Sequence, residues 1–346
     1  TLPIGIVPVI MAISIFARYL FSGQILVKPY NIENFVIQSL LCIGVAAFMQ
    51  ISVNYANDYC DGLRGLDDQR SNRDLGDKTL CDVSWRLADA GIKPKSVLYA
   101  VCISALVSCV FGLIITVRSG IWIFILLGLV CLMGAWFYAG GSHPYGYRGW
   151  GEFSAFLFFG PVAFLGTLCA LSFGSGFPKE SITTASVPQI VFCVLLSIIP
   201  GGFSACLMMI NNLRDIESDT KHAKFTAMSI VGENIGRIIF VSVVIMFTLL
   251  QCVYVFLNIF FAKFMTIIWN VARLNKNAFR INCFLFNQGV FIVCCILLLL
   301  LTYMFIKKAY SLAYAVICGN YANAFPICVS LAMLGALTFV LSIFAC

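Results

Sequence analysis

The sequence predicts an all-α integral membrane protein: a bundle of about nine transmembrane helices forming one domain over residues 1–346. Three observations carry that expectation. The chain is 61% hydrophobic and only 11% charged, too little polar surface to cover a water-soluble globule. Apolar runs approaching the about 20 residues that a spanning helix needs recur along its whole length. Backbone groups in lipid must be satisfied internally, which leaves helices as the spanning form for runs this long.

Taken in order, the spans are expected near Leu2–Phe21, Phe35–Val53, Val97–Val117, Ile121–Tyr138, Phe153–Leu171, Ile190–Ile210, Ile238–Phe261, Phe286–Phe305 and Pro326–Phe344. The first reads as a span rather than a cleavable signal peptide. Most of the sixteen cysteines, such as Cys42, Cys131 and Cys206, fall inside spans, where they behave as small hydrophobes. No paired CxxC occurs and the only histidines are His143 and His222, which argues against a zinc or iron–sulfur site.

The positions of the charges orient the bundle. Eight of the fifteen acids fall between Asp58 and Asp89, four between Asp215 and Glu233, and Glu152 follows the fourth span. With nine spans, these turns all emerge on one face, so thirteen of the fifteen acids share it. Fourteen of the twenty-two Lys and Arg residues lie on that face too, which makes it cytoplasmic by the positive-inside rule and predicts a multi-pass plasma-membrane protein. The basic, mildly amphipathic stretch Lys263–Cys283 falls on the opposite face; it reads as an interfacial helix or as a sign that one span has been miscounted.

Two stretches on the acidic face carry chemistry. In the first, Val53 to Arg70, a helix continuing through Asp61 puts Asn54, Asp58 and Asp61 on one face, and Gly62 and Gly65 then let the chain leave the helix before Asp67, Asp68 and Arg70. In the second, Met209 to Thr226, Asn211, Asp215 and Asp219 recur every four residues, with Lys221 and Lys224 following. Carboxylates clustered this way repel one another unless a hard cation joins them, and magnesium prefers a few carboxylates together with phosphate oxygens. Two such faces opposite each other fit magnesium ions bridging to a diphosphate, with nearby Arg and Lys neutralising its outer oxygens. An ordinary solvated boundary loop accounts for Asp74, Asp77, Asp82 and Asp89, but not for a repeated Asn–x3–Asp spacing at apolar helix ends.

On these residues the chain resembles the UbiA-type intramembrane prenyltransferases, and within them the 1,4-dihydroxy-2-naphthoate polyprenyltransferase branch. The stretches NYANDYCDGLRGLDD, YAGGSHPYGYRGWGE and NNLRDIESD carry the narrower likeness, and TLPIGIVPV and YANAFPICVSLAMLGAL resemble that branch's first and last helices. The resemblance implies Mg2+ held by Asn54, Asp58, Asp61, Asp215 and Asp219. It places Asn57, Arg64, Asp67, Asp68, Arg70, Asn211, Asn212, Lys221 and Lys224 with the substrates. Transfer of a polyprenyl group from its diphosphate to an aromatic carbon is the implied reaction, with loss of CO2 when the acceptor is 1,4-dihydroxy-2-naphthoate. The implied partners are those two substrates and the bilayer, with no protein or nucleic acid. The chain departs from the family in four places: no basic stretch precedes TLP, the usual G-K-R-T reads Ala223-Lys224-Phe225-Thr226, the loop between Arg70 and Arg86 is longer, and Lys263–Cys283 reads as an insertion.

An allylic cation needs a dry pocket and favours aromatic faces, and Tyr138, Tyr145, Tyr147 and Trp150 lie on the correct side. Tyr138 reads either as pocket wall or as interfacial anchor; Arg148 reads either as partner of the acceptor's carboxylate or as an orientation charge. Glu152 is a candidate to polarise an acceptor hydroxyl. Other aromatic acceptors, such as 4-hydroxybenzoate, stay open. A divalent-cation transporter is disfavoured, because the middles of the spans hold no acids.

Overall fold

In a computed structural model, described over residues 2–21, 32–63, 94–174, 187–272 and 279–344, the chain is a bundle of helices. Their order is α1 (Leu2–Phe21), α2 (Ile32–Leu63), α3 (Pro94–Ser119), α4 (Ile123–Ala139), a 3-10 turn (Tyr145–Tyr147), α5 (Gly151–Gly174), α6 (Val187–Arg214), α7 (Ile216–Lys221), α8 (Ala227–Val231), α9 (Glu233–Ala272), α10 (Phe279–Ile317) and α11 (Tyr321–Phe344). Each predicted span falls on one of these helices. Among the described residues seven helices are long and apolar enough to cross a membrane, and Leu2–Arg18 and Ile123–Ala139 are shorter apolar helices. The outward faces are apolar as well: Leu106, Leu126, Ile238 and Leu299 are each more than half exposed. Water would not tolerate so continuous an apolar exterior, whereas hydrocarbon does. The chain is a multi-pass membrane protein.

The centre of the bundle is α6. Its apolar window is 61% buried, more than that of any other candidate span among the described residues. One buried core joins Ile210 of α6 with the fully buried Met11 of α1, Phe164 of α5, Phe240 of α9, Phe305 of α10 and Phe339 of α11. α5 reaches α6 through a glycine contact. A Cβ on Gly160 would lie 2.6 Å from the Cα of Gly201, so the two backbones touch there. Gly160 sits in a π turn, Phe158–Val162, beside Pro161, whose missing N–H interrupts the ordinary ladder.

The stretch Lys263–Cys283, read as an interfacial helix or as a sign of a miscounted span, carries α9 on through Ala272 and opens α10 from Phe279. α2 runs ten residues past the end of its apolar span at Val53, as far as Leu63, so it is helical through Asp61 as the motif spacing required. On the face opposite the aspartates, Arg118 Nε donates to Gln38 Oε1 at 3.3 Å and Nη2 to Asn34 Oδ1 at 2.9 Å. The buried Gln38 in turn donates to the Ala170 carbonyl at 3.2 Å, so a polar clamp ties α2, α3 and α5 at that end.

Candidate active site

The first motif is set by the length of α2. Because the helix persists to Leu63, Asn57 and Asp61 stand one turn apart, and the Asn57 amide donates to Asp61 Oδ2 at 3.2 Å. Two turns earlier, Gln50 donates to Asn54 Oδ1 at 3.2 Å. Asp61 is only 2% exposed, and its Oδ1 accepts from the Tyr147 hydroxyl.

The second motif does not form one straight helical face. α6 stops at Arg214, and Asp215 opens the short α7 with a φ of −99° and ψ of 7°. Asp215 takes both a 2.9 Å and a 3.0 Å hydrogen bond from the Arg214 guanidinium, while Asp219, one turn on, is fully buried. After α7 the chain reverses through Ala223, whose φ of 53° is the left-handed region that an L residue enters at a cost. This reversal aims Lys224 back at the motifs. Its backbone N–H donates to the Asp219 carbonyl at 2.8 Å. Its ammonium lies 3.6 Å from Asp219 Oδ1 and 3.8 Å from Asp61 Oδ2, and 5.2 Å from the centre of the Tyr147 ring. Residues 158 positions apart in sequence thus meet at one buried lysine. Two buried carboxylates against one ammonium leave excess negative charge in a poorly solvated place, which is stable only with further compensation.

The turn between α4 and α5 supplies the third wall. Gly146 lets it sit on Tyr138, since a Cβ there would come within 2.6 Å of the Tyr138 carbonyl. The Tyr147 carbonyl accepts from the Phe225 N–H at 3.0 Å, so Tyr147 holds the loop after the second motif with its backbone and the first motif with its hydroxyl. The Tyr145 hydroxyl donates to the Gly134 carbonyl at 2.7 Å, and burial raises its pKa above the usual tyrosine value, which keeps it a donor. Tyr138 packs with Cys60 of α2 and Tyr147, meets Tyr145 edge to face, and directs its hydroxyl to Met208 Sδ at 3.2 Å. Glu152 accepts from Asn212 Nδ2 at 2.7 Å; its second carboxylate oxygen is buried without a hydrogen-bond partner among the described residues.

Directly beyond Tyr138, Tyr145 and Met208 lies an apolar cavity of about 410 Å³ between α1, α2, α3, α4 and α5. It extends to Cys42, Thr116 and Phe124 on the side of the polar clamp. Its volume is within the range of small-molecule pockets. The assembly is therefore a buried acidic cluster at one end of a greasy chamber, with Tyr138 between the two.

Of the predicted site residues, the structure brings together Asp61, Asp219, Lys224 and Asn57, with Tyr138 at the cavity mouth and Glu152 paired with Asn212. Asn54 and Asp58 are half-buried on α2, as is Asn211 on α6. Lys221 turns outward to Glu217 at 2.9 Å, and Arg148 is exposed on the turn. Arg64, Asp67, Asp68 and Arg70 lie outside the described residues. Tyr147 was legible only as one aromatic among several; its bond to Asp61 crosses 86 positions that no local pattern encodes. The donors suit a hard divalent cation, being carboxylate and amide oxygens, and the surplus negative charge around Lys224 favours one. Among the described residues no three acidic, histidine or cysteine side chains gather tightly enough to hold an ion on their own. A cation there would complete its shell with ligand oxygens.

The sequence profile of the UbiA prenyltransferase family matches residues 15–278. The 1,4-dihydroxy-2-naphthoate octaprenyltransferase of Mycobacterium leprae is 40% identical over 57% of this chain and 58% of its own length. That of Mycobacterium tuberculosis is 37% identical over 59% of this chain and 61% of its own. The chain thus spans about three fifths of the length of these curated relatives. In three dimensions it resembles a UbiA homolog from Aeropyrum pernix K1, with a TM-score of 0.57 over 97% of this chain and 96% of the other, at 12% identity.

Proposed function

Because the chain belongs to the UbiA prenyltransferase family, we propose that it transfers a polyprenyl group from polyprenyl diphosphate to 1,4-dihydroxy-2-naphthoate, in menaquinone biosynthesis, at the cytoplasmic face of the plasma membrane. The observation that carries this reading is the meeting of Asp61, Asp219 and Lys224 beside Tyr138, which itself lines an apolar cavity. A polyprenyl diphosphate has the matching form, a polyanionic head on an apolar chain. The relatives' activity on 1,4-dihydroxy-2-naphthoate supports the choice of acceptor.

In this reading the prenyl C–O bond breaks and its electron pair leaves with diphosphate. The ring carbon bearing the carboxylate forms the new C–C bond, and the pair released as CO2 departs restores the aromatic ring. The product is demethylmenaquinone at the quinol level. Asp61 and Asp219, together with Asn54, Asp58 and Asp215 of the same two motifs, would hold a divalent cation, for which we propose Mg2+; when bound it would offset the charge that builds on the leaving diphosphate. Lys224 supplies a fixed positive charge at the same place. Tyr147 and Asn57 hold the Asp61 carboxylate in its orientation. The faces of Tyr138 and Tyr145 border the space where allylic positive charge develops, and the apolar cavity keeps water from it. Glu152, anchored by Asn212, is the candidate to accept from an acceptor hydroxyl.

The test is transfer by the purified protein in lipid nanodiscs, with octaprenyl diphosphate, 1,4-dihydroxy-2-naphthoate and controlled Mg2+. Prenylated product that disappears in excess EDTA and returns with Mg2+ is expected. Undiminished turnover in EDTA would overturn the metal assignment, and no prenylated product with any aromatic acid would overturn the transferase reading.

A further inference from the structure

The glycines of the bundle fall into two kinds. A Cβ on Gly160 or Gly201 would come within 2.6 Å of neighbouring backbone, and one on Gly202 would meet the Phe247 ring at 2.4 Å. Those residues are small because another part of the bundle presses on them. Gly112 of α3, Gly128 of α4 and Gly166 of α5 line the apolar cavity, yet a Cβ on any of the three meets nothing within 4 Å. All have ordinary helical backbone with no positive φ. Neither close packing nor a turn accounts for glycine at these positions, and glycine weakens a helix interior relative to alanine. What the three share is that they leave the chamber open.

Their depth is informative. At 1.5 Å per residue from the aspartate-side end of each helix, Gly128 lies about 17 Å down α4, Gly166 about 23 Å down α5 and Gly112 about 27 Å down α3. All three are thus in the far half of the cavity, away from Tyr138. Past them the cavity wall at Ala170 and Cys42 adjoins the Gln38–Arg118 clamp, whose buried hydrogen bonds an apolar chain cannot replace.

Resting on the donor assignment above, we propose that Gly112, Gly128 and Gly166 hold open the distal bore for the donor's isoprenoid chain and, with the polar clamp as floor, set the longest chain the protein uses efficiently. A leucine at any of the three takes up space that only the distal isoprene units of a long donor would occupy. A short donor, filling the end near Tyr138, does not reach it. Discrimination from one misplaced group in an apolar pocket is typically tenfold or more.

The experiment compares geranyl and octaprenyl diphosphate as donors to 1,4-dihydroxy-2-naphthoate in Mg2+, using the full chain in nanodiscs. It measures kcat/KM for the unmodified protein and for Gly112→Leu, Gly128→Leu and Gly166→Leu. The ratio of octaprenyl to geranyl kcat/KM is expected to fall at least about tenfold in the variants. A leucine variant that does not elute as a folded monodisperse species is replaced by alanine at the same position, where the shift is smaller but has the same sign. If the unmodified protein transfers prenyl groups and the variants keep its ratio, or lose both donors in equal proportion while folded, the inference is wrong. If the unmodified protein transfers neither donor to any acceptor, the transferase reading itself fails, a result distinct from an unchanged ratio.

Discussion

Lys224 stands between two carboxylates that no solvent reaches, so each side chain of that trio depends on the others for compensation. Asp61→Asn keeps the shape and removes the charge. It should lower kcat/KM for transfer by about 100-fold or more while the protein remains folded in the membrane, since a group that binds the departing diphosphate's counter-charge is lost. Asp82→Asn should leave transfer close to unmodified, and comparable loss there would show that the wrong acids have been chosen. Tyr147→Phe removes a hydrogen bond to a charged acceptor, worth about 1.5–3 kcal/mol. The Mg2+ concentration for half-maximal activity should rise about tenfold, and an unchanged Mg2+ titration would argue that Tyr147 only packs. Ala223 occupies a left-handed position where the family usually has glycine. Ala223→Gly should therefore raise stability by about 1 kcal/mol, read as a higher thermal midpoint in detergent, and a lower midpoint would refute the strain. The carboxylates of this trio were legible because acids at an apolar helix end are rare enough to stand out. The partnership of Tyr147 and Asp61 was not, since it exists only after α2 and the turn before α5 are folded against each other.

Spans such as α3 and α4 are visible in the sequence because apolar runs of that length have one stable use in lipid. Their ends are less visible. The polar stretch Asn54 to Asp61 lies past the apolar span, and only the spacing of Asn54, Asp58 and Asp61 signals that α2 stays helical through it and aligns Asn57 with Asp61. Conversely, Asn211, Asp215 and Asp219 keep a helical spacing while the helix between them breaks, because hydrogen bonds from the Asp215 and Asp219 N–H groups to residues four back survive the bend. Spacing alone does not distinguish a continuous helix from two joined at an angle. Basic residues after Lys263 left open an interfacial element or a miscounted span, and residues of this type also suit a long helix such as α9, which runs on through Ala272. The crossing of α5 on α6 rests on a backbone contact that admits no side chain. Gly201→Val should consequently prevent recovery of folded protein from membranes, because its Cβ falls 2.6 Å from the Phe156 carbonyl. Normal yield and activity in that variant would mean that α5 and α6 pack otherwise.

At the scale of the whole molecule, the bundle separates two environments. An acidic, hydrogen-bonded cluster is gathered at one membrane face, and an apolar chamber runs away from it toward the other. Within this arrangement Tyr138 and Glu152 mark the rim of the cluster, and the Gln38–Arg118 clamp lies at the other end of the bundle. Arg148 is an exposed cation on the turn that forms this rim, and its backbone bridges to Phe225 in the loop after the second motif. If that turn receives the acceptor, Arg148→Ala should raise the KM for 1,4-dihydroxy-2-naphthoate about tenfold and change the KM for polyprenyl diphosphate little. Arg148→Lys should restore only part of the loss, since an ammonium cannot make the paired contact that a guanidinium makes with a carboxylate. Equal effects on both substrates would place Arg148 with the donor. The unmodified protein offered 1,4-dihydroxy-2-naphthoate and 4-hydroxybenzoate together should prenylate the naphthoate preferentially and release CO2. Preference for 4-hydroxybenzoate, with the carboxylate retained in the product, would assign the chain to a different acceptor class while leaving its donor site as described.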